Sequence, residues 1–125
     1  IIGATRNWSR NVLEWNLASD SAYQPHTPGG CTNCLGALTI GGDTVYRNVA
    51  YFIIGHASKF VPAGSKRIMS SNQGNLPNVA FKTPAGKIVL IVLNEGKTSQ
   101  AFDIMFNGRA VRPTIPAGSV ASFVW

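Results

Sequence analysis

The chain has 125 residues, a length that suits one ordinary domain or two incomplete ones. Hydrophobic residues make up 45% of it and charged residues 13%, which excludes a disordered chain and a coiled coil, and no apolar run is long enough for a membrane span. The net charge is +6, but the Lys and Arg residues are spread singly and only Lys66 and Arg67 are adjacent. This pattern argues against a nucleic-acid-binding face and favours a solvated basic surface.

The first half of the sequence predicts one strand, one long loop and one helix. The chain begins Ile-Ile-Gly-Ala, like the interior of a packed element, so we expect it to start within a fold. Residues 6–12 suit a short helix or a turn, and residues 12–17 suit a buried strand that contains a Trp-Asn pair. Residues 18–43 form a Gly/Pro-rich loop of a length that is usually functional. Apolar spacing predicts a helix over residues 47–60, capped by Asp43 or Thr44 and followed by Gly64.

Beyond Gly64 the apolar period becomes two, which predicts short strands and a sandwich. Two turns are indicated between them, one at residues 83–86 and one at Asn107-Gly108. Alternation places Phe102, Ile104 and Phe106 on one face. The candidate strands are residues 67–71, 78–83, 87–93, 100–106, 110–115 and 119–125. About sixty residues are few for a sandwich, so further strands are expected from elsewhere in a parent chain.

Several segments, in order, resemble the end of a family 30 glycoside hydrolase, in the glucosylceramidase and endo-β-1,6-glucanase group. These segments are residues 11–20, 29–34, 55–60, 92–94 and 122–125. The resemblance implies an α/β plus all-β fold: the last strand and helix of a (β/α)8 barrel, followed by a C-terminal antiparallel β-sandwich. The domains would then be residues 1–64 and 65–125, and a segment preceding the barrel would complete the sandwich.

The same resemblance implies that this chain contains no catalytic residue. Family members are retaining enzymes with one glutamate on barrel strand 4 and another on strand 7, and both would lie upstream of Ile1. A retaining site needs two carboxyl groups about 5–5.5 Å apart. Glu14 falls in the predicted strand 8 and Glu95 in the sandwich, so neither replaces a catalytic glutamate. We expect the chain alone to be inactive.

Trp15 and Asn16 are the candidate substrate-binding residues. Trp15 aligns with the strand-8 tryptophan that lines the sugar pocket in this family, and an indole ring can stack on a pyranose. A core tryptophan is the alternative. Asn16 would either bind a sugar hydroxyl or hold the loop. Trp8 and Trp125 are expected in the core.

Cys31 and Cys34 have several interpretations. A disulfide within the Cys-x-x-Cys loop suits a secreted protein and would stiffen the loop. Two free thiols, a zinc site with His26 and His56, and a redox pair are the alternatives. Apart from that zinc alternative no metal is expected, and no cofactor is expected.

Two classes of function follow. The favoured one is the C-terminal portion of a retaining β-glycosidase that hydrolyses β-glucosidic bonds. The alternative is a non-catalytic β-sandwich module that binds carbohydrate or protein. The expected partners are a β-glucoside or glucan and either the rest of the barrel or a second copy of the chain, with no nucleic acid and no membrane span. The Gly-Gly-Cys-x-x-Cys loop resembles the microbial secreted branch, which implies a secreted or periplasmic protein.

Overall fold

The structure is a computed structural model that describes residues 1–72 and 74–125. The described chain forms two compact units. One unit, here called the sandwich unit, combines Ile1–Arg10 with His56–Trp125, and the other, the central unit, is Asn11–Gly55. The sandwich unit therefore includes the first ten residues, whereas the sequence-based boundary lies at residue 64. The interpretation of residues 1–64 as the end of a barrel stays a prediction.

The central unit is built on a three-stranded sheet. Strand β1 (Ala18–Asp20) pairs in parallel with β2 (Leu38–Gly41), and β2 pairs antiparallel with β3 (Thr44–Arg47). A two-residue turn joins β2 to β3, with Gly42 at φ +58°, a conformation that favours glycine. Helix α2 (Val49–Ser58) follows and leads out of this unit.

Three expectations for this region are wrong. Residues 18–43 do not form one continuous loop, because β1 and β2 lie within them. Residues 12–17 form no strand, and β1 begins at Ala18 instead. A parallel strand is normally covered on both faces, but the side chain of Leu13 is 91% exposed and that of Trp15 is 73% exposed. The predicted helix cap at Asp43 or Thr44 is also wrong, because Thr44 begins β3. The helix starts after Asn48, whose carbonyl accepts from the Tyr51 N–H at 3.0 Å.

The sandwich unit is mostly β, with helix α1 (Ile2–Arg6) and the end of α2 as its helical parts. Its largest sheet is antiparallel and has the strand order β11-β6-β5-β4. Two shorter pairs, β7 with β10 and β8 with β9, make up the rest. The strands are β4 (Lys66–Ile68), β5 (Asn78–Lys82), β6 (Ile88–Leu93), β7 (Gln100–Ala101), β8 (Ile104–Phe106), β9 (Arg109–Val111), β10 (Thr114–Ile115) and β11 (Val120–Val124).

Both faces of the four-stranded sheet are covered by apolar side chains. On one face Val92 packs with Phe102, which lies between β7 and β8, and with Ile115 of β10. On the other face Val89 and Ile91 pack with side chains that include Ile2, from α1. This arrangement explains why β6 is an uninterrupted apolar run, since its side chains are buried in both directions.

The predicted strands of residues 100–106 and 110–115 are each divided in two. Phe102 still donates its N–H to the Pro113 carbonyl at 3.2 Å, but Pro113 has no N–H to return, so the ladder is interrupted there. The two predicted turns are confirmed. Gly86 has φ +80° and donates to the Thr83 carbonyl at 2.9 Å, and Asn107-Gly108 joins β8 to β9 with φ values of +48° and +73°.

The expectation that Trp8 and Trp125 lie in the core is wrong. Trp8 is 78% exposed, and the Arg67 guanidinium lies 4.0 Å from its ring centroid. Trp125 is 43% exposed and meets Phe106 edge to face, with the ring centroids 5.7 Å apart. Both rings therefore lie at the surface and are not enclosed in the core.

Neither helix in residues 1–72 and 74–125 has the length and apolar character needed to cross a membrane.

Candidate functional site

The predicted substrate-binding residues lie just before β1 in the central unit. The backbone there is anchored, because the Asn16 carbonyl accepts from the Ala37 N–H and the Leu17 carbonyl from the Leu38 N–H, each at 2.9 Å. The Asn16 side chain accepts from the Ala18 N–H at 3.3 Å, so it also serves the local backbone. The Trp15 side chain is largely exposed on this anchored segment. Its indole ring is therefore accessible for stacking against a ligand.

Ser19 and Asn48 hold this segment in place, and the sequence analysis missed both. Ser19 is buried, and its Oγ accepts from the Gly36 N–H at 3.3 Å. The Asn48 side chain donates to the Gly36 carbonyl and to Thr39 Oγ1, each at 2.9 Å. Gly36 itself must be small, since a Cβ there would lie 3.0 Å from the Ala18 backbone. Of these two residues, Asn48 could have been singled out from the sequence, because asparagine often occurs directly before a helix.

The loop after β1 is shaped by side-chain and glycine turns. Asp20 Oδ1 accepts from the backbone N–H groups of Ala22 and Gln24, both at 2.8 Å. Further on, Gly29 adopts φ +78° after Pro28, and the turn closes at Gly30. Proline followed by a residue of positive φ is typical of a type II turn. The loop therefore has defined local structure although most of it lacks strands and helices.

Cys31 and Cys34 form a disulfide, with their Cα atoms 5.6 Å apart. The predicted disulfide is present, and the zinc and free-thiol alternatives are wrong because the two sulfurs are bonded to each other. Within residues 1–72 and 74–125, no three His, Cys, Asp or Glu side chains are grouped as metal ligands. Trp15, Asn16 and the disulfide thus share the central unit.

His56 forms a hydrogen bond within the sandwich unit. Its Nδ1 lies 2.9 Å from Ser122 Oγ on β11, and the contact is partly buried. A serine hydroxyl can donate to an imidazole nitrogen or accept from an imidazole N–H, so the contact suits either ring tautomer. This pair fixes the last turn of α2 against β11.

The two glutamates belong to different units. Glu14 lies in the exposed segment before β1, and Glu95 lies in the exposed loop after β6, where its backbone N–H donates to the Asn75 carbonyl. Both side chains are exposed. A carboxylate in open solvent lacks the apolar surroundings that tune a general acid.

Known proteins resemble this chain over nearly all of its length. An endo-1,6-β-D-glucanase of Aspergillus fumigatus is 28% identical over 98% of the chain, and the lysosomal acid glucosylceramidase of Mus musculus is 28% identical over 90%. A solved endo-β1,6-glucanase is 30% identical over 99% of the chain, with a TM-score of 0.89. The chain spans only 27%, 22% and 29% of these proteins, respectively.

The second half of the chain also matches a family model directly. Residues 64–123 match the glycosyl hydrolase family 30 beta sandwich domain. This range contains β4 to β11, the strands that form the sheet and strand pairs of the sandwich unit. The resemblance drawn from the sequence is confirmed: residues 64–123 match the β-sandwich domain of glycosyl hydrolase family 30, and the similar proteins include an endo-β1,6-glucanase.

Proposed function

We propose that the chain is the C-terminal portion of a retaining β-glycosidase, of the endo-β-1,6-glucanase or glucosylceramidase type. The observation that carries the proposal is the likeness to an endo-β1,6-glucanase along 99% of the chain, in both fold and sequence. A lone sandwich module would match only over the sandwich. The likeness instead extends through the central unit.

In this proposal the catalytic carboxylates are supplied by a part of the enzyme outside residues 1–125. The two glutamates of this chain are exposed and lie in separate units, which supports assigning them no catalytic role. The chain contributes the sandwich and one wall of the substrate site.

Trp15 supplies the sugar contact in that wall. An exposed indole ring stacks on the C–H face of a pyranose and excludes water from it. The backbone bonds of Asn16 and Leu17 hold the ring at a defined place, which reduces the entropy lost when the sugar binds. Asn16 orders this turn and is near enough in sequence to reach a sugar hydroxyl beside the ring.

The enzyme is secreted or periplasmic. The support is the Cys31–Cys34 disulfide, since such bonds persist in oxidising compartments and are rare in the cytosol.

The test uses the enzyme that contains this chain, with β-1,6-glucan and an aryl β-glucoside as substrates. Trp15→Ala should lower kcat/KM by about tenfold or more, because a stacking contact of 1–1.5 kcal/mol or more is lost. Trp8→Ala removes another exposed tryptophan and is the matched control, with kcat/KM expected within about twofold of the wild type.

A second experiment uses the chain by itself. The isolated chain should hydrolyse neither β-1,6-glucan nor the aryl β-glucoside. Turnover by the pure chain that disappears in Glu14→Gln or Glu95→Gln would overturn the assignment of catalysis to another part of the enzyme.

A further inference from the structure

The fold divides the charge of the chain unequally. Ten of the eleven Lys and Arg residues, but only two of the five Asp and Glu residues, lie in the sandwich unit, which gives it a formal net charge of +8. Of the two acidic residues, Asp103 is paired with Arg112 at 3.1 Å. Glu95 follows the C-terminal end of β6, whereas Ile88 begins that strand. The singly spaced basic residues of the sequence are thus concentrated by folding.

Two of these cations face each other across a strand pair. Lys66 of β4 and Lys82 of β5 are direct partners in the antiparallel register, so both side chains project from the same face. Both are exposed, and the salt bridge that the structure describes involves neither of them. Like charges directly opposite each other destabilise a sheet, so the fold gains nothing from this arrangement.

The same row of the sheet continues to an aromatic pair. Lys82 is opposite Ile88, and Ile88 exchanges two backbone hydrogen bonds with Trp125, at 2.9 and 3.1 Å. Trp125 packs edge to face against Phe106, and both rings are partly exposed. The hairpin register places Arg109 directly opposite Phe106, on the same face. Lys66, Lys82, Arg109, Phe106 and Trp125 form what we call the basic-aromatic end.

We propose that the basic-aromatic end binds an acidic polysaccharide. Neighbouring strands are about 4.8 Å apart, on the order of the length of one sugar residue. A chain laid across the strands would therefore present successive acidic groups to Lys66 and Lys82 and a sugar face to Trp125. Stacking on the exposed aromatic surface supplies the apolar contact, and the lysines select for negative charge.

A polysaccharide fits these groups better than a membrane surface. Phe106 and Trp125 are 37% and 43% exposed and are held against each other, so neither ring is free to insert between lipid chains. Lys66 and Lys82 lie side by side in one row across β4 and β5. A row matches a linear polymer.

The experiment is affinity electrophoresis of the enzyme that contains this chain, in gels containing polygalacturonate or the neutral β-1,6-glucan. Polygalacturonate should retard the wild type, and the retardation should weaken as salt is raised. Lys66→Ala/Lys82→Ala should weaken binding about tenfold, and the control Lys59→Ala/Lys97→Ala, which removes the same charge elsewhere, less than about threefold.

Lys82→Glu separates a binding role from a structural one. It places a carboxylate opposite Lys66, so the thermal midpoint should be unchanged or higher while polygalacturonate binding is lost. Equal weakening by both double variants, equal retention by DNA or by phosphatidylglycerol vesicles, or no retardation of the wild type would each overturn the proposal.

Discussion

Asn94 shows how a single side chain can hold several strands of the sandwich unit. It is fully buried, its Nδ2 donates to the carbonyls of Thr98, Ile115 and Pro116 at 2.8–3.2 Å, and its Oδ1 accepts from the Gly96 N–H. We expect Asn94→Ala to lower the free energy of unfolding by about 2–3 kcal/mol, because buried carbonyls lose their donor. Urea unfolding followed by tryptophan fluorescence measures this.

The control for Asn94 is Thr98→Ala. The Thr98 backbone carbonyl takes part in the network, whereas its side chain is exposed, so the free energy of unfolding should change by less than about 0.5 kcal/mol. A loss for Asn94→Ala no larger than that of Thr98→Ala would contradict the role given to the buried amide.

The Cys31–Cys34 disulfide gives a second prediction at the residue scale. It closes a very short loop, so its effect on the unfolded chain should be less than the 3 kcal/mol or so expected for a 15-residue loop. Cys31→Ser/Cys34→Ser should therefore lower the free energy of unfolding by less than about 3 kcal/mol. Alkylation followed by intact mass measurement checks the bond itself: label should enter only after reduction, and two labelled thiols without reductant would contradict it.

At the scale of elements, two glycines with open space around them should respond in opposite ways to alanine. Gly108, in the β8–β9 turn, has φ +73°, and Gly55 lies inside α2; a Cβ at either position meets nothing within 4 Å in this chain. Gly108→Ala should cost about 1–2 kcal/mol of stability from the left-handed backbone alone. Gly55→Ala should raise stability by about 0.5–1 kcal/mol through helix propensity.

Thermal unfolding of both variants tests this pair. Because neither substitution creates a clash in the chain, the sign of the change in thermal midpoint reports the backbone conformation at each position. A stabilised Gly108→Ala variant would show that the turn does not hold the left-handed conformation.

At the scale of the whole molecule, the central unit exposes a large apolar surface. Leu13, Trp15, Leu17, Phe52 and Ile53 are all exposed. Each such side chain left in water forgoes roughly 1.5–3 kcal/mol of burial, and large exposed apolar patches mark interfaces. We predict that the isolated chain self-associates through residues 12–17 and the Phe52–Ile53 face, or is stable only beside the rest of its enzyme.

Light scattering on the isolated chain at micromolar concentration tests this prediction. Leu13→Ser/Phe52→Ser should shift the distribution toward monomer, whereas Met69→Ser/Met105→Ser, which removes exposed apolar side chains from the sandwich unit, should not. A well-folded wild-type monomer would contradict the prediction and favour an independent binding module.

The sequence by itself determined what depends on near neighbours. Residues 83–86 and Asn107-Gly108 were identified as turns because proline and residues tolerant of positive φ act within a few positions. The period-two apolar pattern likewise located the sandwich strands, although it joined β7 to β8 and β9 to β10. The disulfide was one of several interpretations of two cysteines three positions apart. The order of these segments was enough to indicate the family.

Only the tertiary structure decided what depends on distant neighbours. Residues 12–17 have the composition of a buried strand, yet β1 begins only at Ala18. A strand requires hydrogen-bonding partners, and the backbone bonds toward β2 that the structure describes start at the Asn16 and Leu17 carbonyls. Lys66 and Lys82 are sixteen positions apart in the sequence and become direct neighbours through strand register. Pairing of this kind is non-local, so no local pattern of residues encodes it.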